Sequence, residues 1–313
     1  MAQKPNVSVH DTLGFLQEKL DTDVRDLTLL SGGDWSQAYS FVHRHKKYVL
    51  RWCFSSETFE KDTVASAYRC DAMPIPKIID SGTHYETCFA ISEFVQGQFI
   101  ETLTPAELEK TLSVLLNLFD ALRTTDLTGT SGYGGWDKNG VGSHKSWKDY
   151  LLDVKRDDEE TFAHGWYTDL ANSRVGTQIF DQLYSQFESL VVFCSEGREL
   201  IHSDLLNSNL LVADAKISGV IDWQCSLYGD SLYDVAWFTF YAPWYPQFAA
   251  VQLSEKLMTH FESTTTNHSH LSDRLLCYQL HIGLDSIRYN AFKKDWKAAQ
   301  DVADYTLKIS HLG

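Results

Sequence analysis

Asp204, Asn209 and Asp222 are the residues of this chain whose types and spacing carry the most chemistry. They stand in IHSDLLNSNLLV and, thirteen residues past the asparagine, in GVIDWQ. A carboxylate, a carboxamide and a second carboxylate at this spacing offer one acid group to an acceptor hydroxyl and two oxygen ligands to a hard cation. Phosphoryl transfer needs those parts and little covalent chemistry besides. Asp204 suits the acceptor oxygen, and Asn209 and Asp222 suit magnesium held against the phosphates. The surrounding pattern reads as a strand end at 199–202, a polar loop at 203–208, a second strand at 210–212 and a third at 217–221 that delivers Asp222. Together they form a hairpin with its polar side chains at one mouth. The competing reading is a loop whose Asp and Asn satisfy only their own turns.

The elements that must position this hairpin follow from the pattern on either side. A helix near 12–20 precedes LTLLSGGDWSQAYSFVHRHKKYVLRW, which reads as two strands around a Gly-rich turn and a third strand ending at Arg51. Gly32 and Gly33 would let backbone amides approach phosphate oxygens, with Ser36 adding a hydroxyl. A plain hairpin turn explains the same glycines. Residues 57–70 have helical character until Pro74 and Pro76, and strands follow at 77–80 and 88–94. Gly97 closes this β-rich part. Beyond Pro105 amphipathic segments dominate (106–122, 147–154, 175–192), interrupted by the Gly-rich loop TGTSGYGGWDKNGVG. The chain therefore reads as α+β in two lobes: residues 1–97, which bind nucleotide, and residues 98–313, mostly helical, with the reacting hairpin at the inner edge.

Composition bounds the rest. With 313 residues and 43% hydrophobic ones there is ample material for a core, and no run reaches the length of a membrane span. The start, MAQKPNVSVHDTLGF, lacks a secretion signal, so the cytoplasm is the expected location. Six scattered cysteines without a C-x-x-C pair suggest reduced thiols, and His268 and His270 read as solvated loop residues. The net charge of -15 argues against nucleic acid and favours a cationic partner, with most of the excess acid beyond residue 100. A monomer is expected.

These pieces resemble the aminoglycoside phosphotransferase family over most of the chain, from LSGGDWSQAYSF through YVLRW, MPIPKIIDSG, SGYGGWDKNGVG, IHSDLLNSNLLV and GVIDWQCSLYGDSLYDVAWF to HIGLDSIRYNAF. The resemblance implies a bilobal protein-kinase-like fold, ATP (or GTP) with magnesium, and transfer of the terminal phosphoryl group to a hydroxyl of an aminoglycoside or another small molecule. It implies Asp204 as the catalytic aspartate, Asn209 and Asp222 as metal ligands, and Glu93, Phe94 and Val95 as the hinge that meets the adenine. Arg51 stands where such a lobe carries a cation over the phosphates, in place of the lysine of many relatives. Its acidic partner is either Glu60 or Asp62. Ser203 replaces a glycine usual in the family, and Asp230 and Asp234 fall where family members carry acidic residues that brace the loop.

The acceptor side is read from single residues. Asp285, with Trp237, Tyr241 and Trp244, would line an acidic, aromatic cleft for a sugar amine, while an ordinary aromatic core accounts for the same tryptophans. Two alternatives stand beside an aminoglycoside kinase. One is a kinase of a different metabolite, such as a choline-like amine, a macrolide or a sugar. The other is a nucleotide-binding pseudoenzyme, against which the joint presence of Asp204, Asn209 and Asp222 counts.

Overall fold

Strand β3 (Lys46–Cys53) shows how the first part of the chain is built, because its side chains alternate between two apolar layers. Leu50 and Trp52 point to one side, where Tyr39, Phe41, Phe89 and Ile91 of neighbouring strands meet Phe15 and Leu16 of helix α1 (Val9–Lys19). Cys53 packs on the other side with Cys88, Ala90 and Phe59, the last from helix α2 (Glu57–Ala65). Arg51 shares that second face. The computed structural model describes residues 4–31 and 33–311. Its first sheet is antiparallel throughout, in the order β1 (Val24–Leu29), β2 (Gln37–His43), β3, β5 (Thr87–Glu93), β4 (Ile78–His84).

Beyond Glu93 the architecture changes. A short strand β6 (Gln98–Phe99) leaves the first sheet and pairs with β10 (Leu210–Ala213), which continues into β11 (Lys216–Val220) as an antiparallel hairpin. A second small sheet runs β8 (Gly142–His144), β7 (Tyr133–Trp136), β12 (Leu227–Gly229), β9 (Glu199–Ile201). The Gly-rich segment expected to be a loop therefore supplies two strands. Its glycines hide the strand pattern, and Gly134 is required there: it has φ +74°, and a Cβ would lie 2.4 Å from the Tyr150 ring.

Helices build the remainder: α3 (Pro105–Thr124), α4 (Trp147–Leu152), α5 (Trp166–Ala171), α6 (Gln178–Leu190), α7 (Leu232–Tyr241), α8 (Pro246–Ala250), α9 (Leu253–Thr264), α10 (Leu271–Lys293) and α11 (Trp296–Ser310). The long helix α3 starts on a capping box in which Thr104 and Glu107 satisfy each other's backbone amides. Helix α10 runs through the centre, packed on α6, α7 and α11. Its Gly283 lets α11 approach closely, since a Cβ would fall 2.3 Å from Thr306 Oγ1. The expected helix over 175–192 starts three residues later. No helix among the described residues is long and apolar enough to cross a membrane.

Candidate active site

Strand β9 ends at Ile201, and the chain turns sharply at Ser203, whose φ is +58°. A non-glycine residue in this region costs about 1 kcal/mol or more. Asp234 on α7 offsets that cost: its buried carboxylate accepts the amides of His202 (2.9 Å) and Ser203 (2.8 Å), while Ser203 Oγ donates to the Cys225 carbonyl (2.6 Å). The serine that departs from the family pattern is thus held by two hydrogen bonds of its own, with a third on the preceding His202 amide. Asp230 differs from its expected role. It accepts from Arg274 Nε (2.9 Å) and Tyr278 Oη (2.6 Å), so it anchors α10 and leaves the loop to Asp234.

Asp204 lies half-buried at the mouth of the hairpin. Asn207 Nδ2 donates to its Oδ1 at 2.7 Å, and Asn209 Nδ2 donates to its carbonyl (2.8 Å) and its Oδ2 (3.0 Å). The β10–β11 hairpin returns the chain to Asp222, with the Ile221 amide on the Asn209 carbonyl (2.9 Å). His202 ties both halves together. Its Nδ1 accepts the Asp204 amide (3.3 Å) and its Nε2 donates to the Ile221 carbonyl (3.0 Å), a neutral tautomer consistent with a pKa pushed down to about 4 by burial. Burial raises the pKa of Asp204 well above the carboxylate range, and repulsion from Asp222 and Glu101 adds to it. Asp222 is raised too, by burial first, against the pull of Arg51.

Arg51 meets Asp62, not Glu60. The two acids are two residues apart on α2 and so point about 200° apart around it; only Asp62 faces β3. Its Oδ2 accepts from Arg51 Nη2, and its Oδ1 accepts the Trp223 amide at 3.0 Å, directly after Asp222. One buried carboxylate therefore joins the lobe cation to the segment bearing Asp222. Glu60 instead accepts from Ser56 Oγ (3.3 Å) and lies 3.9 Å from Lys138.

The remaining residues expected to serve the nucleotide are more dispersed. Gly32 lies outside the described residues. Gly33 is exposed, and a Cβ there would meet nothing within 4 Å, so protein packing does not demand the glycine. Ser36 is half-buried just ahead of β2. Between them the loop reaches across to α10: Asp34 accepts from Tyr289 Oη (2.8 Å) and Lys293 Nζ, and the Trp35 ring lies parallel to Phe292 (6.5 Å, 3°). Glu93 accepts from Arg69 Nη1 (3.0 Å) and the Lys77 amide (3.1 Å), and the Phe94 amide donates to the Lys47 carbonyl (3.4 Å). With Val95 they border an open cavity of about 570 Å³ that neither Arg51 nor Asp204 lines.

Of the residues expected to receive the acceptor, Trp237 and Tyr241 pack together (5.0 Å), and Tyr241 Oη shares a hydrogen bond with Ser286 Oγ (2.7 Å). The Trp237 indole N–H is buried and has no partner among the described residues. Asp285 keeps 48% of its side chain exposed, 3.5 Å from Arg288. Cys225 is exposed, and its thiol is raised by desolvation first and then by Asp204, Asp222 and Asp285 against Lys61, so all three carboxylates lie within electrostatic reach of it. Trp244 instead stands edge-on to Tyr305 (4.6 Å) and is 44% exposed. Sequence reasoning missed Glu101, which lies outside the quoted motifs, and the contacts of Arg288, Asp34 and Trp35, which lie within them but whose partners no local spacing announces. No group of three or more His, Cys, Asp and Glu side chains that could hold a metal ion by themselves is found among the described residues. The cysteines are free.

A sheet that aims a paired cation at a hairpin carrying two carboxylates and a carboxamide defines a phosphotransferase of kinase-like fold. Residues 26–262 match the phosphotransferase enzyme family, and the chain belongs to it, among the aminoglycoside phosphotransferases. It is 33% identical over 292 residues to hygromycin-B 4-O-kinase of Escherichia coli, covering 91% of this chain and 80% of that protein. The crystal structure of aminoglycoside phosphotransferase APH(4)-Ia superposes with a TM-score of 0.85 at 29% identity, covering 98% of this chain and 99% of that one. A thermostable mutant of that enzyme in ternary complex with ADP and hygromycin B superposes at 0.83 with 28% identity, over 96% and 98% of the two chains.

Proposed function

We propose that the protein transfers the terminal phosphoryl group of ATP to a hydroxyl of hygromycin B or a closely similar aminoglycoside, and thereby confers resistance to it. The observation that carries this reading is the joining of Asp204, Asn209 and Asp222 to Arg51 through Asp62, in a chain one-third identical to a hygromycin-B kinase. In this reading Asp204 accepts the hydrogen bond of the acceptor hydroxyl and takes its proton as the new O–P bond forms and the bond to the ADP oxygen breaks. A desolvated carboxylate is a stronger base than an ordinary one, and the Asn207 and Asn209 amides hold it in one orientation. Arg51 steadies phosphate charge.

Magnesium fits the donor set. Asp204 and Asp222 repel one another in a desolvated site, which a hard cation would relieve. Asn209 spends its amide N–H on Asp204, which leaves its carbonyl oxygen as a ligand beside the Asp222 carboxylate. When bound, the ion would neutralise charge on the nucleotide's phosphates. Gly33, Ser36 and the hinge Glu93–Val95 serve the nucleotide, with the lobe boundary at Gly97, just before β6 joins the second part. Asp285, Trp237 and Tyr241 receive the cationic acceptor. An acceptor panel with labelled ATP tests the reading: hygromycin B should be phosphorylated ahead of kanamycin-type compounds. A panel without product from protein that binds ATP and magnesium would move the assignment to another metabolite.

A further inference from the structure

Glu101 lies in the single turn Ile100–Thr102 that follows β6, outside every motif considered above. Its Oε1 accepts the Ser208 amide at 2.7 Å, its own carbonyl accepts from Gln247 Nε2 on α8 at 2.5 Å, and its Oε2 is buried with no partner among the described residues. The contact with Ser208 matters because of the backbone it holds. Asn207 and Ser208 are consecutive left-handed residues, with φ of +63° and +69°. Asparagine tolerates that region, whereas serine has no comparable ease in it. The double turn is what swings Asn207 Nδ2 onto Asp204 Oδ1 and presents Asn209 to Asp204 Oδ2.

We propose that Glu101 is a positioning residue for phosphoryl transfer: by pinning the Ser208 amide it keeps the strained Asn207–Ser208 pair in place, and through that pair it fixes the orientation of Asp204. Its hydrogen bonds run to the Ser208 amide and to Gln247, so it acts through the loop. The turn carrying Glu101 follows directly on the strand that leaves the hinge, so the path from the first sheet into the second part is tied to the reacting loop by this hydrogen bond, in addition to the adjacent β6–β10 pairing. This inference rests on the reading of Asp204 given above.

Glu101→Ala removes the acceptor of the Ser208 amide, while Glu101→Gln keeps an oxygen in its place. With ATP and hygromycin B, Glu101→Ala should lose about 30-fold in kcat with the KM for ATP changed less than about twofold, the signature of a misplaced reacting group. Glu101→Gln should stay within about threefold of the parent. Adding Ser208→Gly to Glu101→Ala should recover about fivefold or more of the lost turnover, because glycine takes the left-handed backbone without cost. Hydrogen exchange on the nucleotide-free protein gives an acceptor-independent reading: the Ser208 amide should exchange about tenfold faster in Glu101→Ala and not in Glu101→Gln, with β10 and β11 amides unchanged. Glu101→Ala within threefold of the parent with Ser208 still protected, or Glu101→Gln as impaired as Glu101→Ala, overturns the proposal. A wild-type protein inactive on hygromycin B counts against the acceptor assignment alone, and the exchange data still decide the role of Glu101.

Discussion

Replacing Asp62 should damage both the fold and the nucleotide site, and its size follows from what the carboxylate holds. Asp62 and Arg51 keep only 7% and 15% of their side chains exposed, and Asp62 also accepts the Trp223 amide. Asp62→Ala leaves a buried guanidinium without its partner, a loss of about 3 to 5 kcal/mol. It also orphans an amide, worth about 1 to 3 kcal/mol. Asp222 still attracts Arg51, and the cleft admits water, so we expect the total near the bottom of that combined range, about 4 kcal/mol. For a chain of this length that corresponds to a fall in Tm of about 6 °C. Asp62→Asn retains an acceptor for Trp223 and should lose roughly half as much. Glu60→Gln should cost less than about 0.5 kcal/mol, since Glu60 lies 3.9 Å from a largely exposed Lys138. Differential scanning calorimetry and the KM for ATP measure both effects, with the KM rising about tenfold in Asp62→Ala as Arg51 loses its orientation. If Asp62→Ala melts within about 2 °C of the parent, or Glu60→Gln falls as far, the link from lobe cation to Asp222 is not what the geometry implies.

Three further outcomes are expected. Asp285→Asn should raise the KM for hygromycin B about tenfold and leave that for ATP unchanged; added salt should raise the acceptor's KM less steeply in the variant, because screening acts over about 8 Å. Asp34→Asn, which weakens a partly exposed pair with Lys293 and Tyr289, should loosen ADP binding by about twofold to fivefold in calorimetry. His281 is buried with its pKa lowered to about 3, by desolvation first and Arg288 second. It is neutral in the fold, so its contribution is complete above pH 6.5, where the unfolded chain is neutral too, and declines by about 1.4 kcal/mol per pH unit as pH falls toward 3. The stability gap between the parent and His281→Asn should therefore narrow from pH 7 to pH 4 in urea titrations; a gap independent of pH would contradict this.

The hairpin bearing Asp204, Asn209 and Asp222 was readable because the three residues sit within one contiguous strand–loop–strand–strand segment, which places Asn209 on Asp204 and returns the chain to Asp222. Helices α3 and α6 announced themselves by apolar periodicity, whereas α10, buried on several sides, was not read from the sequence. Strands β7 and β8 did not, since glycines at positive φ removed the alternation that marks a strand. The partner of Arg51 stayed open between Glu60 and Asp62 because both are acidic and only the rotation of α2 against β3 separates them. Glu101 and Ser208, or Asp34 and Lys293, are far apart in the chain, and no local pattern encodes such meetings. Ser203 shows a fourth case: the sequence reveals a missing glycine, and only the fold shows Asp234 compensating for it.

The central claim is that Asp204 serves the acceptor hydroxyl, and Asp204→Ala tests it most directly. Product formation from ATP and hygromycin B, followed by mass spectrometry, should fall by about 10² to 10⁴. Calorimetric affinity for ADP with magnesium should stay within about threefold of the parent, since the removed group faces the acceptor and not the nucleotide. Turnover within tenfold of wild type, or loss of nucleotide binding in step with turnover, would contradict the account.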